Sequence, residues 1–309
     1  MEDGMQTTGT AGASTAWPVG DLTIHRVDEL ALAAETGAWL LPSATPDLIA
    51  GQPWLQPAFA DDQGILRFAS HSFAVLVDGL RVLIDTGIGN GKTRVNPAWH
   101  DLNTDYLARL ADIGFAPEAV DLVLLTHLHA DHVGWNTVAE QGNWVPAFPN
   151  ARYVTARAER EFWASYDMDE ARSQMFRDSV HPIEDAGLLD LVDVPASGSA
   201  ITPGLRLIPT PGHTPGHLAV ELRSGSAEAV ITGDCMHHPV QVSHPEISSC
   251  VDIDPGQAEA TRRALLSELA DTETLLLGTH FPDPTAGYVR SHEGGYRLSP
   301  MNNSQAIRY

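Results

Sequence analysis

The chain has 309 residues, 43% hydrophobic and 19% charged, which allows one large domain or two ordinary ones and is typical of an ordinary water-exposed globular fold. Its formal net charge of −22 argues against nucleic acid or an anionic membrane as partner. Two cysteines, Cys235 and Cys250, make no disulfide framework and point to a cytoplasmic setting, and no apolar run approaches the ~20 residues that span a bilayer.

The first stretch, through Ala16, is rich in Gly, Thr, Ala and Ser and lacks the basic start and apolar run of a secretory signal. Residues 1–20 are therefore expected to be a disordered lead-in, and 21–309 a single domain. Leu22–Val27 reads as a strand. Residues 29–69 carry Trp39, Trp54, Phe59 and several prolines with little periodicity. A linker would not normally carry such bulky aromatics, so this segment is expected to pack over a functional cleft or at a homodimer interface, with packing on its own domain as the plain alternative.

Clear strand signals follow at Phe73–Val77 and Arg81–Ile84, joined by the hairpin dipeptide Asp78-Gly79. The spacing predicts helices over Asp105–Ile113, Ala156–Tyr166, Glu170–Phe176 and Gln257–Ala270. It predicts strands over Val120–Leu125, Leu205–Ile208, Leu218–Leu222, Ala229–Ile231 and Thr274–Leu277. Mixed strands and helices with short connections imply α/β layering, with helices covering sheet faces.

Chemistry concentrates where these strands end. Val120–Leu125 runs into Thr126-His127-Leu128-His129-Ala130-Asp131-His132, four potential ligands within six residues. His213 follows the strand at 205–208, Asp234 the strand at 229–231 and His280 the strand at 274–277. Each shows an apolar strand, one or more small residues, then a ligand, which gathers them at one edge of the sheets. Imidazole and carboxylate suit zinc, and also manganese, cobalt or iron. Two such ions could share a hydroxide ready at neutral pH, one polarising a carbonyl or phosphoryl oxygen, the other stabilising the leaving oxygen, with no Ser or Cys nucleophile needed.

The strings THLHADH, PGHTPGH, TGD and GTHFP, in this order, closely resemble the metallo-β-lactamase superfamily, over about Leu22 to Gly287. The resemblance implies an αββα sandwich, here with an N-terminal extension, and a dimetal site at its edge. It implies His127, His129 and His213 on one metal, Asp131, His132 and His280 on the other, and Asp234 as the bridge. It also implies that Asp85, in Asp-Thr-Gly, orients the cluster. Asp131 or Asp234 would pass a proton to the leaving group.

Within the superfamily, Asp234 stands where dizinc β-lactamases often use a cysteine, so the bridge is a carboxylate and Cys235 a neighbour. The chain is too short for an added flavodoxin domain and too acidic for the nuclease branches. The N-terminal segment and the run Gly233 to Pro239 look most like the lactonases and the methyl-parathion-hydrolase-like arylesterases and phosphotriesterases. The expectation is a hydrolase with two divalent metals, taken as zinc, opening an ester and above all a lactone. Arylester or phosphotriester hydrolysis is the first alternative. A glutathione-linked thioester hydrolase or mononuclear iron persulfide dioxygenase is the second, for which Arg290 and Arg297 would have to meet an anionic substrate. Trp135, Phe162, Trp163, His238 and Phe281 are candidate pocket residues, each about as well explained by core packing. His217 is expected to close the PGHTPGH turn.

Overall fold

The computed structural model describes residues 15–301 and 307–308. In chain order the strands of the first sheet begin with β1 (Thr15–Val19), β2 (Leu22–Ala31), β3 (Ala69–Val77), β4 (Leu80–Ile84) and β5 (Leu122–Leu124). A separate hairpin follows, β6 (Thr137–Glu140) and β7 (Asn143–Pro146), before β8 (Arg152–Ala156) and β9 (Leu189–Val192) return to that sheet. The second sheet takes β10 (Ser199–Thr202), β11 (Leu205–Pro209), β12 (Leu218–Ser224), β13 (Ala227–Ile231), β14 (Leu275–Leu277), β15 (Ala286–His292) and β16 (Gly295–Pro300). The last strand, β17 (Ile307–Arg308), joins the outer edge of the first sheet beside β1.

The helices are α1 (Thr36–Leu40), α2 (Pro46–Ala50), α3 (Tyr106–Asp112), α4 (Arg157–Ser165), α5 (Glu170–Met175), α6 (His181–Asp185), α7 (Val240–Ser243) and α8 (Pro255–Leu269). Among the described residues no helix is long and apolar enough to cross a membrane.

The two large sheets pack face to face, and strand alternation builds the layers. On β4 and β5, Val82, Ile84, Leu122 and Leu124 point into the inter-sheet core. Leu83 and Val123 point outward, under Tyr106 and Leu110 of α3 and Trp163 of α4. On β13 and β14, Ala229, Ile231, Leu275 and Leu277 face inward, whereas Val230 and Leu276 lie under Leu265, Leu266 and Leu269 of α8. Strands covered on both faces have to be apolar throughout, which is why 122–124 and 275–277 read as unbroken apolar runs. The result is the αββα sandwich expected from the sequence.

The boundaries show where local reasoning fell short. The lead-in does not extend to residue 20: Thr15–Val19 is a strand paired with β2, and Trp17 and Val19 sit in the inter-sheet core. Burial of the Trp17 indole decides this against the polar composition around it. The remainder of the expected lead-in, 1–14, lies outside the described residues. The segment 29–69 divides in three. Glu29–Ala31 completes β2, and Leu32 with α1 reaches the cleft described below. Ile49, Leu55, Phe59, Leu66 and Phe68 pack on the outer face of the second sheet with α8. Trp54 is half-buried there, its indole N–H on Gln52 Oε1 at 2.8 Å and its ring against Phe59.

Candidate metal centre

Parallel pairing of β4, β5 and β8 brings the C-terminal ends of these strands to one edge, and parallel pairing of β13 and β14 does the same in the other sheet. Main-chain bonds stitch the sheets together at this edge: Leu218 N–H donates to Thr126 O at 2.9 Å, and Ala69 N–H to His280 O at 3.1 Å. Six of the seven residues expected as ligands follow β5, β13 or β14, His213 follows β11, which pairs antiparallel with β12, and all seven converge.

Ligand-capable atoms of His127, His129, His213 and Asp234 lie within 4.8 Å of one another, and those of Asp131, His132 and His280 form a second such group. Asp234 reaches both. Its Oδ2 is 3.4 Å from His213 Nε2 and 3.8 Å from His127 Nε2. Its Oδ1 is 3.3 Å from His132 Nε2 and 3.2 Å from His280 Nε2. Imidazole nitrogens aimed at each other, such as His213 Nε2 and His129 Nδ1 at 2.9 Å, are an arrangement a shared cation would justify. His127 Nε2 and Asp234 Oδ1 are buried with no hydrogen-bond partner, a costly state for polar atoms that a metal would relieve. The donor set therefore fits two divalent ions.

The electrostatics agree. Burial and the neighbouring His132 and His129 hold His127 well below the usual imidazole range; burial and His213 do the same for His129. Burial opposes charge on His132, but the carboxylates of Asp234, Asp85 and Asp131 outweigh it and raise its pKa well above the ordinary value. Burial likewise opposes charge on Asp234, yet His132, His280 and His237 keep it well below the carboxylate range. An anionic bridge among neutral or proton-holding imidazoles is a site where cations can take the place of protons.

Outer contacts fix the ring orientations. Asp85, in the left-handed region at φ 56°, has its Oδ2 2.9 Å from His132 Nδ1 and accepts from Thr126 N and Oγ1 at 2.8 Å each. His280 Nδ1 lies 3.0 Å from Ala69 O. His217 does more than close a turn: its Nε2 accepts the Asp234 N–H at 2.8 Å, so Nδ1 carries the proton and faces Thr210 Oγ1 at 2.8 Å. Asp234 is thus anchored at its own backbone.

Glu159, at the start of α4, carried no motif in the sequence. It is buried and accepts from Leu128 N (3.0 Å) and Trp163 Nε1 (2.7 Å) at one oxygen. At the other oxygen it accepts from Thr214 Oγ1 (2.6 Å) and Gly216 N (3.2 Å). One carboxylate therefore ties the THLHADH loop to the PGHTPGH loop. The glycines of the second loop have a matching cause. A Cβ on Gly216 would sit 2.1 Å from Glu159 N, and one on Gly212, at φ 134°, would sit 2.3 Å from Ala258 N of α8. The His213 loop is wedged between two helix starts.

A cleft of about 250 Å³ opens over the cluster, where His129, Asp131, Asp234 and His280 form its floor. Leu32, Trp39 and Leu40 supply one wall; Val95, Asn96 and Trp99 from the loop after β4, and Arg172 and Met175 of α5, supply others. None of the five pocket residues expected from sequence lines it. Trp135 stacks on Tyr106 and donates to Glu29 Oε1; Trp163 backs His129 from the core; Phe162 packs with Trp163. Phe281 is in the core beneath the second sheet, and His238 is held by Phe59 O and packed on Phe68. Their apolar surface is consumed by packing. Of the adjacent pair it is His237 that lines the cleft, its Nε2 3.2 Å from Asp234 Oδ2 and neither ring nitrogen well hydrogen-bonded. Arg290 and Arg297 face each other across β15 and β16 and are absent from the cleft, and Arg290 is paired with Glu273 at 2.8 Å.

The chain belongs to the metallo-beta-lactamase superfamily, whose family model matches residues 66–280. An N-acyl homoserine lactonase of Bacillus cereus is 25% identical over 122 residues, 40% of this chain and 40% of that protein. The lactonase AttM of Rhizobium radiobacter is 28% identical over 140 residues, 43% of this chain and 48% of that protein. The chain thus matches less than half the length of these curated relatives. Among solved structures, AidC, a dizinc quorum-quenching lactonase holding its product, superposes with TM-score 0.76 at 21% identity, covering 94% of this chain and 98% of that one. AbOPH, a hydrolase of the beta-lactamase superfamily, also gives 0.76, at 25% identity over 95% of this chain and 99% of that one.

Proposed function

We propose that this protein is a dinuclear metal-dependent hydrolase that opens a lactone carrying an apolar arm. The observation that carries this reading is Asp234, which presents one oxygen to each of two histidine groups under an apolar cleft. His127, His129 and His213 would hold one ion and Asp131, His132 and His280 the other, with Asp234 shared. Two divalent ions, expected to be zinc, supply Lewis acidity toward the carbonyl oxygen and lower the pKa of bound water to about 7.

The chain's own groups do the remainder. Leu32, Trp39, Val95 and Met175 receive the apolar arm and exclude water from it. His237, unpartnered at the floor, offers a hydrogen bond to the substrate oxygen. Asp131, whose side chain is 15% exposed and faces the cleft, would take a proton from the water whose oxygen bonds to the carbonyl carbon and pass it to the ring oxygen as the ring C–O bond breaks, and the product is a hydroxy acid. Asp234, buried and placed between the two histidine groups where it would be shared by two cations, would be the poorer proton carrier of the two. The lactonase relatives support the substrate class. The apolar walls, the absence of Arg290 and Arg297 from the cleft, and the pairing of the cleft's own Arg94 and Arg172 with Asp178 and Asp169 weigh against an anionic glutathione substrate. The free cysteines, Cys235 buried and Cys250 exposed, fit the reducing compartment we assign. The homodimer is carried forward as part of the proposal; sedimentation showing only a monomer at micromolar concentration would remove that part alone.

A panel of N-acyl lactones, aryl esters, phosphotriesters and S-lactoylglutathione, run with defined metals, tests the reading. Acyl lactones should give the highest kcat/KM. Preference for a phosphotriester or aryl ester would move the protein to that branch, and preference for the thioester would overturn the substrate assignment.

A further inference from the structure

Each histidine group has one imidazole braced from behind by its own buried carboxylate. In the second group the carboxylate of Asp85 stands behind His132. In the first group, behind His213, stands Asp252, in the loop between α7 and α8, a residue with no motif in the sequence. Its Oδ1 is 2.9 Å from His213 Nδ1, and both side chains are fully buried. Asp252 is itself held: its Oδ2 accepts Ser249 N–H at 2.9 Å and lies 3.6 Å from Arg262 NH1. Arg262, also fully buried on α8, donates from Nε to Pro245 O at 3.0 Å and from NH1 to Cys235 O at 3.4 Å, the carbonyl next to Asp234. The backbone closes the clamp, with Ile253 N–H on His213 O at 3.0 Å and Asp254 N–H on Gly212 O at 2.9 Å.

We infer that Asp252, anchored by Arg262, is a positioning residue that sets the affinity of the first metal position independently of the second. The inference rests on the dinuclear reading above, though not on its substrate. The physical basis is the tautomer. A carboxylate at Nδ1 keeps the proton there, leaves the His213 Nε2 lone pair free toward Asp234 and His129, and makes that nitrogen a stronger donor. Arg262 balances the buried carboxylate, which would otherwise be a costly isolated charge. It also fixes the distance between the His213 brace and the Asp234 turn, so the ligand and the bridge stay in register. The other imidazoles of the first group have no carboxylate of this kind among the described residues: His127 Nδ1 faces Thr126 Oγ1, and His129 lies against the Trp163 ring.

The experiment is metal binding by Asp252→Ala, by the near-isosteric Asp252→Asn, and by Asp85→Asn as the counterpart on the other group. Zinc is titrated against a competing chelator, and the visible spectrum of the cobalt-loaded protein is recorded. Asp252→Ala should weaken one of the two zinc equivalents by about 10–100-fold and leave the other within about twofold. Asp252→Asn, which keeps an acceptor without the charge, should fall between it and the wild type. The cobalt bands of one ion should change while those of the other persist, and Asp85→Asn should produce the reverse assignment. A merely structural role would lower thermal stability without separating the two equivalents. Two zinc ions held with native affinity by folded Asp252→Asn and Asp252→Ala, or both weakened equally, would overturn the inference. A wild type that takes up two ions yet cleaves no lactone would sink the substrate reading alone, because the metal titration is scored without substrate.

Discussion

At the residue scale the account turns on Asp234. Its two carboxylate oxygens are divided between the two histidine groups, so Asp234→Ala should deplete both metals and abolish turnover together, as metal analysis and activity on one sample would show. A variant retaining both ions at native affinity would mean that the bridge lies elsewhere. His237, which lines the cleft beside Asp234, is assigned to the substrate in the proposal above. His237→Phe should therefore keep two ions per chain and lose about 10²–10³-fold in kcat, the size of effect expected for removing one hydrogen bond to a developing charge. Loss of metal in that variant would instead make His237 a ligand. The seven residues proposed as ligands were legible in the sequence because each sits in a loop that directly follows an apolar strand, a purely local signal. Glu159, Asp252 and His237 were not, since a lone Glu in an amphipathic helix or one of two adjacent histidines acquires its role only when distant loops meet.

At the element scale, the loops are set by what packs behind them. Glu159 accepts four hydrogen bonds across two loops. Glu159→Gln turns an NH2 group onto two of those donors, with an expected cost of about 2 kcal/mol or more and a lowered melting temperature, together with faster metal loss to chelator. Unchanged stability and metal retention would show that the loops hold themselves. The segment 29–69 makes a contrasting pair of predictions. Trp39, 59% exposed on the cleft wall, should raise KM for long-arm substrates when replaced by Ala, with little change in melting temperature. Trp54, packed on Phe59, should do the opposite. If Trp54→Ala alone changed the substrate profile, the cleft would be lined differently from what is described. Much of this architecture could be read ahead of time: the helix at 106–112 and the strands at 205–209 and 275–277 follow from periodicity. β1 and the hairpin β6–β7 could not, because their residues are polar-flanked and gain their apolar contacts only from the other sheet or loop.

At the scale of the whole molecule, the fold buries charge beside the cleft as well as hydrocarbon. Lys92, after β4, is fully buried, with its ammonium on Thr137 Oγ1 at 2.7 Å and Asp178 O at 3.0 Å; Arg94 grips the Asp178 carboxylate at 2.8 and 3.0 Å. Burial pulls the Lys92 pKa from 10.5 down to about 7, against the pull of Asp178. Between those values the unfolded chain holds the proton more tightly than the folded one, so folding costs most at and below pH 7 and less as pH rises toward 10.5. Urea unfolding of wild type and Lys92→Met at several pH values should show the difference moving in favour of the wild type from pH 7 to pH 10. A pH-independent difference would mean that Lys92 stays charged.

The central claim is that this edge holds two ions and that lactone opening depends on both. Its most direct test is activity on an N-acyl lactone while zinc is returned stepwise to verified metal-free protein. Activity should be absent at the start and should saturate at two ions per chain. Hydrolysis that survives complete metal removal, or that saturates at one ion per chain, would contradict it.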